Sequence, residues 1–342
     1  AALPSSFAYS RLGLGCVKPE QRVYGGEAVG LVKRVRRILI DLLRANQSRT
    51  LGLMWLSGIS AVTASPGPLA RRGGGGVQPG EPIRVDDSLP GVEIVIACSP
   101  KDFDLLPATV TFCMAHVRNA VSAVTVVVPD VEVEAASRLG TPADVAGEDA
   151  LLPPALRKAV REHHPAGRYG WVLQQVIGLY FAWSSESAGV LVWDSDTILT
   201  RPRAFLGRDR RQLLSLSHEY FEPYEDHATK VWGPRKRHHG LSYVTHHQLM
   251  QPWILREMFP NLDDLAQWVK KAATDHKSPL ADYHSYGRWL CDHYPENVSL
   301  ARWGNKSVAR SSFDSLDPES LQRELSSRFP HYFSVSLHSY LQ

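Results

Sequence analysis

The run GVLVW, Gly189 to Trp193, leads straight into Asp194-Ser195-Asp196. An unbroken apolar stretch rich in β-branched residues fits a strand buried on both faces, the kind that parallel sheets use. Strand alternation predicts that the two carboxylates, separated by one residue, point the same way and share one cation. Hard oxygen donors with open positions suit Mg²⁺ or Mn²⁺ holding a diphosphate, where the ion offsets charge on a leaving group. In the plainer alternative, Asp194 or Asp196 caps backbone N–H groups of a turn or helix start ahead of Thr197.

Upstream of this run the pattern is that of an α/β domain. Val92 to Ala97 (VEIVIA) and Ala123 to Val128 (AVTVVV) are β-branched runs that end at Ser99-Pro100 and Pro129-Asp130, with room for one helix over Asp104 to Asn119. A strand, a helix and a second strand form a βαβ unit, whose right-handed crossover makes a parallel sheet with ligands at the strands' carboxyl ends. Ser99, Lys101 and Asp102 fall at such an end. After the Pro-rich Leu152-Pro153-Pro154, the segment Trp171 to Trp183 reads as a long apolar helix. Gln174 and Gln175 interrupt it, and a buried amide needs a polar ligand or a loop backbone as partner.

The chain has 342 residues, 44% hydrophobic and 21% charged, enough for a sizeable core. Its 38 Lys and Arg against 35 Asp and Glu give a net charge of +3, so charge does not imply nucleic acid. Cys16, Cys98, Cys113 and Cys291 lie far apart with no CxxC pair, which suits a reducing compartment and makes the cytoplasm the expected location. Residues 1–90 differ from the remainder and read as a poorly structured, basic extension that ends in a linker (Ser65 to Pro68, then Gly73 to Gly76). Within it, Leu31 to Leu43 reads as a basic amphipathic helix. Leu51 to Ala64 is apolar like a secretory hydrophobic region but sits too far along the chain to be expected to act as one. Peripheral contact with the inner face of a membrane through residues 31–64 is one reading of this region, and an unstructured extension the other.

The fourteen histidines include the pairs His163-His164, His238-His239 and His246-His247. Adjacent residues diverge on a helix or strand and cannot both reach one metal without a turn, which disfavours a zinc site. Trp232, Trp253, Trp289 and Trp303 are candidates for stacking on sugar faces or, more plainly, for core and rim packing. Phosphate-loop and dinucleotide-binding glycine fingerprints are absent from the sequence.

VLVWDSDTILTRP, Val190 to Pro202, resembles the strand, DxD triplet and arginine-proline turn of a bacterial domain-of-unknown-function family in the GT-A, or nucleotide-diphospho-sugar transferase, superfamily. Val92 to Leu106, Tyr169 to Ala182, Thr245 to Met258, Ala281 to Leu290 and Val335 to Leu341 resemble it in the same order, so the likeness spans about residues 91–342. It implies a GT-A-like, Rossmann-type, mixed and mostly parallel sheet flanked by helices. It also implies a hexosyltransferase-type enzyme of cell-surface polysaccharide synthesis, with a nucleotide-sugar donor, a glycan or other hydroxyl acceptor, and Mn²⁺ or Mg²⁺.

Carried onto this chain, the resemblance assigns Asp194 to the ribose and metal, Asp196 to the metal directly, and His338, after the apolar Phe333, Val335 and Leu337, to a third ligand position. Ser99, Lys101, Asp102, Gln174, Gln175 and Ser195 would line the donor, and Asp282 would orient or deprotonate the acceptor hydroxyl. His246 and His247 follow as further substrate contacts, with packing at a helix N-terminus as the other reading. For Asp282 the alternative is an N-cap, for His338 a surface histidine, and for Lys101 and Asp102 a solvated helix start. Whether the transfer inverts or retains is open. Two rivals stand beside the transferase: a haloacid-dehalogenase-like phosphatase with Asp194 as nucleophile, and a non-catalytic nucleotide-sugar binder or adaptor.

Overall fold

The computed structural model describes residues 88–164, 166–234, 241–273 and 280–341. The helix expected over Leu31 to Leu43, the apolar stretch Leu51 to Ala64, the Gly73 to Gly76 linker, Cys16 and the pair His238-His239 lie outside them.

In chain order the elements are β1 (Val92–Ala97), α1 (Leu106–His116), β2 (Val121–Val128), α2 (Val133–Ser137), β3 (Asp144–Gly147), α3 (Glu148–Leu151), α4 (Pro154–His163) and α5 (Tyr169–Ser184). There follow β4 (Val190–Trp193), β5 (Thr197–Leu199), β6 (Gln212–Leu216), α6 (Glu222–Trp232), β7 (His247–Met250), α7 (Pro252–Met258) and α8 (Leu262–Ala273). The chain closes with α9 (Asp282–His293), β8 (Val298–Arg302), β9 (Asn305–Ala309), α10 (Pro318–Arg328) and β10 (Ser334–His338).

The central sheet has the order β3-β2-β1-β4-β7. Its first four strands are parallel, and only β7 runs antiparallel, against β4. This is the mixed, mostly parallel sheet between helices that the sequence leads one to expect. The β-branched run of β1 serves both faces: Val92, Ile94 and Ile96 pack with Leu106, Val110 and Cys113 of α1, and Val95 packs with α5 on the other side. Helix α5 comes so close to β4 that a Cβ on Gly178 would sit 2.6 Å from Val192 Cγ1. Two small sheets, β5-β10-β9 and β6-β8, complete the fold.

The order of the strands creates the site. The chain runs outward from β1 through β2 to β3, then returns by α4 and α5 to place β4 on the other flank of β1. That reversal leaves a crevice at the carboxyl ends of β1 and β4, the usual ligand position in open parallel sheets. Ser99 to Asp102 follow β1 there, and Asp194 follows β4.

Cys98, Cys113 and Cys291 are buried, and none of them is in a disulfide among the described residues. Among the described residues no helix is long and apolar enough to cross a membrane.

Candidate active site

The triplet Asp194-Ser195-Asp196 is a tight turn between two sheets, and the expected strand alternation through it does not occur. Thr197 N–H donates to the Asp194 carbonyl at 3.1 Å, and the chain then enters β5, which pairs with β10. Because β4 and β5 belong to different sheets, the backbone has to bend between them. Distant elements fasten each residue of the bend. Asp194 N–H donates to the His246 carbonyl at 3.0 Å and Leu337 N–H to the Asp196 carbonyl at 2.7 Å. The Thr109 hydroxyl donates to the Ser195 carbonyl at 2.8 Å, and the Ser195 hydroxyl donates to Asp102 Oδ2 at 2.9 Å.

Asp194 is the hub. Its Oδ1 accepts from the Tyr283 hydroxyl at 2.8 Å and from Gln174 Nε2 at 3.5 Å, and its Oδ2 meets His246 Nδ1 at 3.2 Å. The other ring nitrogen of His246 meets Glu219 Oε2 at 3.2 Å. Burial opposes a charged imidazole, but a carboxylate on each nitrogen outweighs it and raises the His246 pKa to about 10. The hydrogen bond from His246 in turn holds the Glu219 carboxyl low. His246 has φ +63°, in the left-handed region that side chains other than glycine seldom occupy.

Asp196 is served from the last strand. Its Oδ2 lies 2.8 Å from His338 Nδ1, while His338 Nε2 lies 3.3 Å from the Ser307 hydroxyl. Burial works against the ionised form of Asp196, yet the His338 hydrogen bond and charge hold its pKa below the ordinary value. The rings of His246 and His338 are 5.6 Å apart, and Tyr340, largely exposed, stacks on His338 at 4.8 Å.

Asp282 opens α9 as its first helical residue. The cap position belongs to Ala281, so the N-cap role weighed for Asp282 is not the one it has. Its backbone N–H donates to Gln175 Oε1 at 3.1 Å, and Gln175 Nε2 donates to the Trp171 carbonyl at 3.3 Å. The adjacent glutamines of α5 thus diverge, Gln174 to Asp194 and Gln175 to the start of α9. The Asp282 carboxyl is buried, and desolvation together with the charge of Asp194 pushes its pKa up to about 8. Tyr283, beside it, is likewise pushed up by burial and by Asp194.

Other candidates stand elsewhere. Neither histidine of the pair begins a helix: His247 is the first residue of β7, buried between Trp193 at 4.6 Å and Trp303 at 4.3 Å, with Nδ1 on the Thr245 carbonyl at 2.8 Å. Burial drives its pKa down to about 3, so it is a neutral core ring. Asp102 is a buried ion-pair partner of Arg310 rather than part of a solvated helix start; it also receives the Ser195 hydroxyl and lies 3.0 Å from Lys101 Nζ. Lys101 is exposed, whereas the Ser99 hydroxyl is buried without a partner among the described residues. Trp289 and Trp303 are buried and Trp232 packs against the core, while Trp253 is exposed beside a separate cavity of about 560 Å³ with Arg210 and Arg256.

Three contributors went unnoticed in the sequence. Tyr283 neighbours Asp282 in a segment already singled out, and that adjacency was its only signal. Glu219 and Arg310 carry no local signal, because each acts through a partner far away in the chain.

The donor chemistry at Asp196 and His338 fits a divalent cation. Their 2.8 Å separation is close to the about 2.9 Å between neighbouring corners of an octahedron with bonds of about 2.1 Å. In the structure His338 Nδ1–H donates to Asp196. For a cation to sit between them the proton would have to leave Nδ1, and Nε2, 3.3 Å from the Ser307 hydroxyl, would carry one in the ligating tautomer. Among the described residues no group of three or more His, Cys, Asp or Glu side chains is placed to hold a metal ion, so Asp194, Asp196 and His338 do not form a three-ligand set here. Mg²⁺ ordinarily makes do with one or two protein donors, the rest being water and substrate phosphate.

No family model matches the chain and no curated protein sequence does. Among solved structures it is similar to the apo form of mouse xyloside xylosyltransferase 1, with a TM-score of 0.41 and 9% identity over 74% of this chain and 99% of that one.

Proposed function

We propose that this chain is a metal-dependent glycosyltransferase that moves a sugar from a nucleotide-diphosphate donor to a hydroxyl acceptor. The observation that carries this reading is the Asp194-Ser195-Asp196 turn at the carboxyl end of β4, with His338 on Asp196 and Tyr283 and His246 on Asp194. Asp196 and His338 would hold Mn²⁺ or Mg²⁺, and the ion, when bound, neutralises charge on a departing diphosphate.

The remaining roles fall to side chains of this chain. Tyr283, Gln174 and His246 fix the Asp194 carboxylate so that it presents a single orientation to a ribose or phosphate ligand. Three partners on Asp194 also make it a poor free nucleophile, which disfavours the phosphatase alternative. Asp282 lies within electrostatic reach of Asp194 and, in its ionised form, accepts the proton of the acceptor hydroxyl on its carboxylate. A pKa near 8 makes it a stronger base than an ordinary carboxylate.

The test is binding and turnover together. UDP, GDP and a panel of their hexose conjugates are titrated with Mn²⁺ and with EDTA, following thermal stability and release of diphosphate. Metal-dependent stabilisation and sugar release, both lost in Asp196→Ala, are the expected results. A parent protein that no nucleotide stabilises, and that cleaves none of the conjugates, would overturn the reading.

A further inference from the structure

Gln248 sits on β7 directly opposite Val192 of β4, is 4% exposed, and neither its amide nitrogen nor its amide oxygen has a hydrogen-bond partner among the described residues. Leaving both ends of a buried amide unmatched is costly, and an apolar side chain would fill a strand core at no such cost. Its neighbours show what the fold can do for an amide that it means to satisfy. Gln212 Nε2 donates to the Leu249 carbonyl at 2.9 Å, Gln251 Nε2 donates to Gln212 Oε1 at 3.2 Å, and Gln251 Oε1 accepts from Trp253 Nε1 at 3.1 Å. Gln248 alone among the glutamines of β6 and β7 and their ends lacks both.

The direction it faces locates its partner. His247 and Leu249 turn to the side of Trp193, Phe205 and Trp303, so alternation puts Gln248 on the opposite face with Met250, Val190 and Val192. That is the face covered by α5 and α9, the helices that bring Gln174 and Tyr283 to Asp194 and Gln175 to Asp282. Gln248 pairs with Val192, and Asp194 follows two residues later, just past the end of β4, so Gln248 sits one strand over and about 7 Å back along the strand direction from the Asp194 backbone.

Resting on the transferase reading above, we propose that Gln248 reads the hydroxyl groups of the transferred sugar. One amide supplies a donor and an acceptor side by side, which matches two neighbouring hydroxyls of a pyranose. The sugar satisfies the amide only when it is bound. The free protein therefore carries an unmatched pair of polar atoms as the cost of recognising its donor.

The test uses the full chain with Gln248→Leu, and with Gln248→Met as a second unbranched replacement should the leucine variant not fold. Thermal stability is recorded without ligand, and dissociation constants are measured with Mn²⁺ for UDP, GDP, UDP-glucose, UDP-galactose and GDP-mannose. In the parent, the preferred sugar nucleotide binds at least tenfold tighter than its own diphosphate. In the variant the free protein melts a few degrees higher, the diphosphate binds as before, and the extra affinity from the sugar falls to twofold or less. A variant that keeps the full sugar increment overturns the assignment of Gln248 alone, and so does a parent that binds sugar nucleotide and diphosphate equally. A parent that binds neither overturns the transferase reading itself.

Discussion

Asp196 and His338 are 142 positions apart in sequence and 2.8 Å apart in space. On the proposed reading, a carboxylate and an imidazole at that spacing would form a two-point seat for a hard cation, with Ser307 behind the ring. Titration of Mn²⁺ with UDP by calorimetry should find binding abolished in Asp196→Ala and weakened about tenfold or more in His338→Ala. Ser307→Ala, which loosens the ring without removing a donor, should lose about tenfold or less.

Asp282→Asn separates chemistry from packing. The parent carboxyl carries a proton below about pH 8, so transfer should rise with pH through that value as the base is uncovered. The Asn variant should lack this limb and transfer at least about a hundredfold more slowly at pH 9, with donor affinity unchanged. Stability follows the opposite sign: the unfolded group releases its proton near 3.8 while the folded one keeps it to about 8, so the parent weakens between those values and the variant does not. Urea titrations at pH 5, 7 and 8.5 check this.

Arg310→Met should cost about 3 kcal/mol or less, because the buried Asp102 carboxylate loses its buried cation and keeps only the exposed Lys101 ammonium, 3.0 Å away. The damage reaches the site, since Asp102 also receives the Ser195 hydroxyl. Denaturant midpoints give the first effect, and a fall in Mn²⁺ affinity gives the second.

His246→Gly should be more stable than His246→Ala by about 1 kcal/mol, in reverse of the usual order, because only glycine accepts φ +63° without steric strain. Both variants leave Asp194 and Glu219 facing each other's charge without the imidazole between them. Equilibrium unfolding of the pair decides it; equal stabilities would mean that the left-handed backbone carries no strain.

The parts of this molecule legible in the sequence were those written in short range. VEIVIA and GVLVW reveal two central strands because a buried parallel strand needs apolar residues on both faces. Boundaries shifted where tertiary pairing extended an element, as in β2, which begins at Val121 rather than Ala123 because Val121 pairs with Val92. The bend at Asp194 was read as a strand, since no local pattern reports that β5 belongs to another sheet. His246 and His247 look alike in sequence, yet the antiparallel pairing of β7 on β4 sends one to Asp194 and the other among Trp193 and Trp303.

Asp194 is bonded to the five-stranded sheet through the His246 carbonyl, and Asp196 to the three-stranded sheet through Leu337 and His338. The gap between the two carboxylates is therefore a gauge of how one sheet is seated on the other. Any slip of β10 along β5 would register there first. Substitutions far off on β9 or α10 that loosen that seat can thus be recognised by a single signature, weakened cation affinity before any loss of fold.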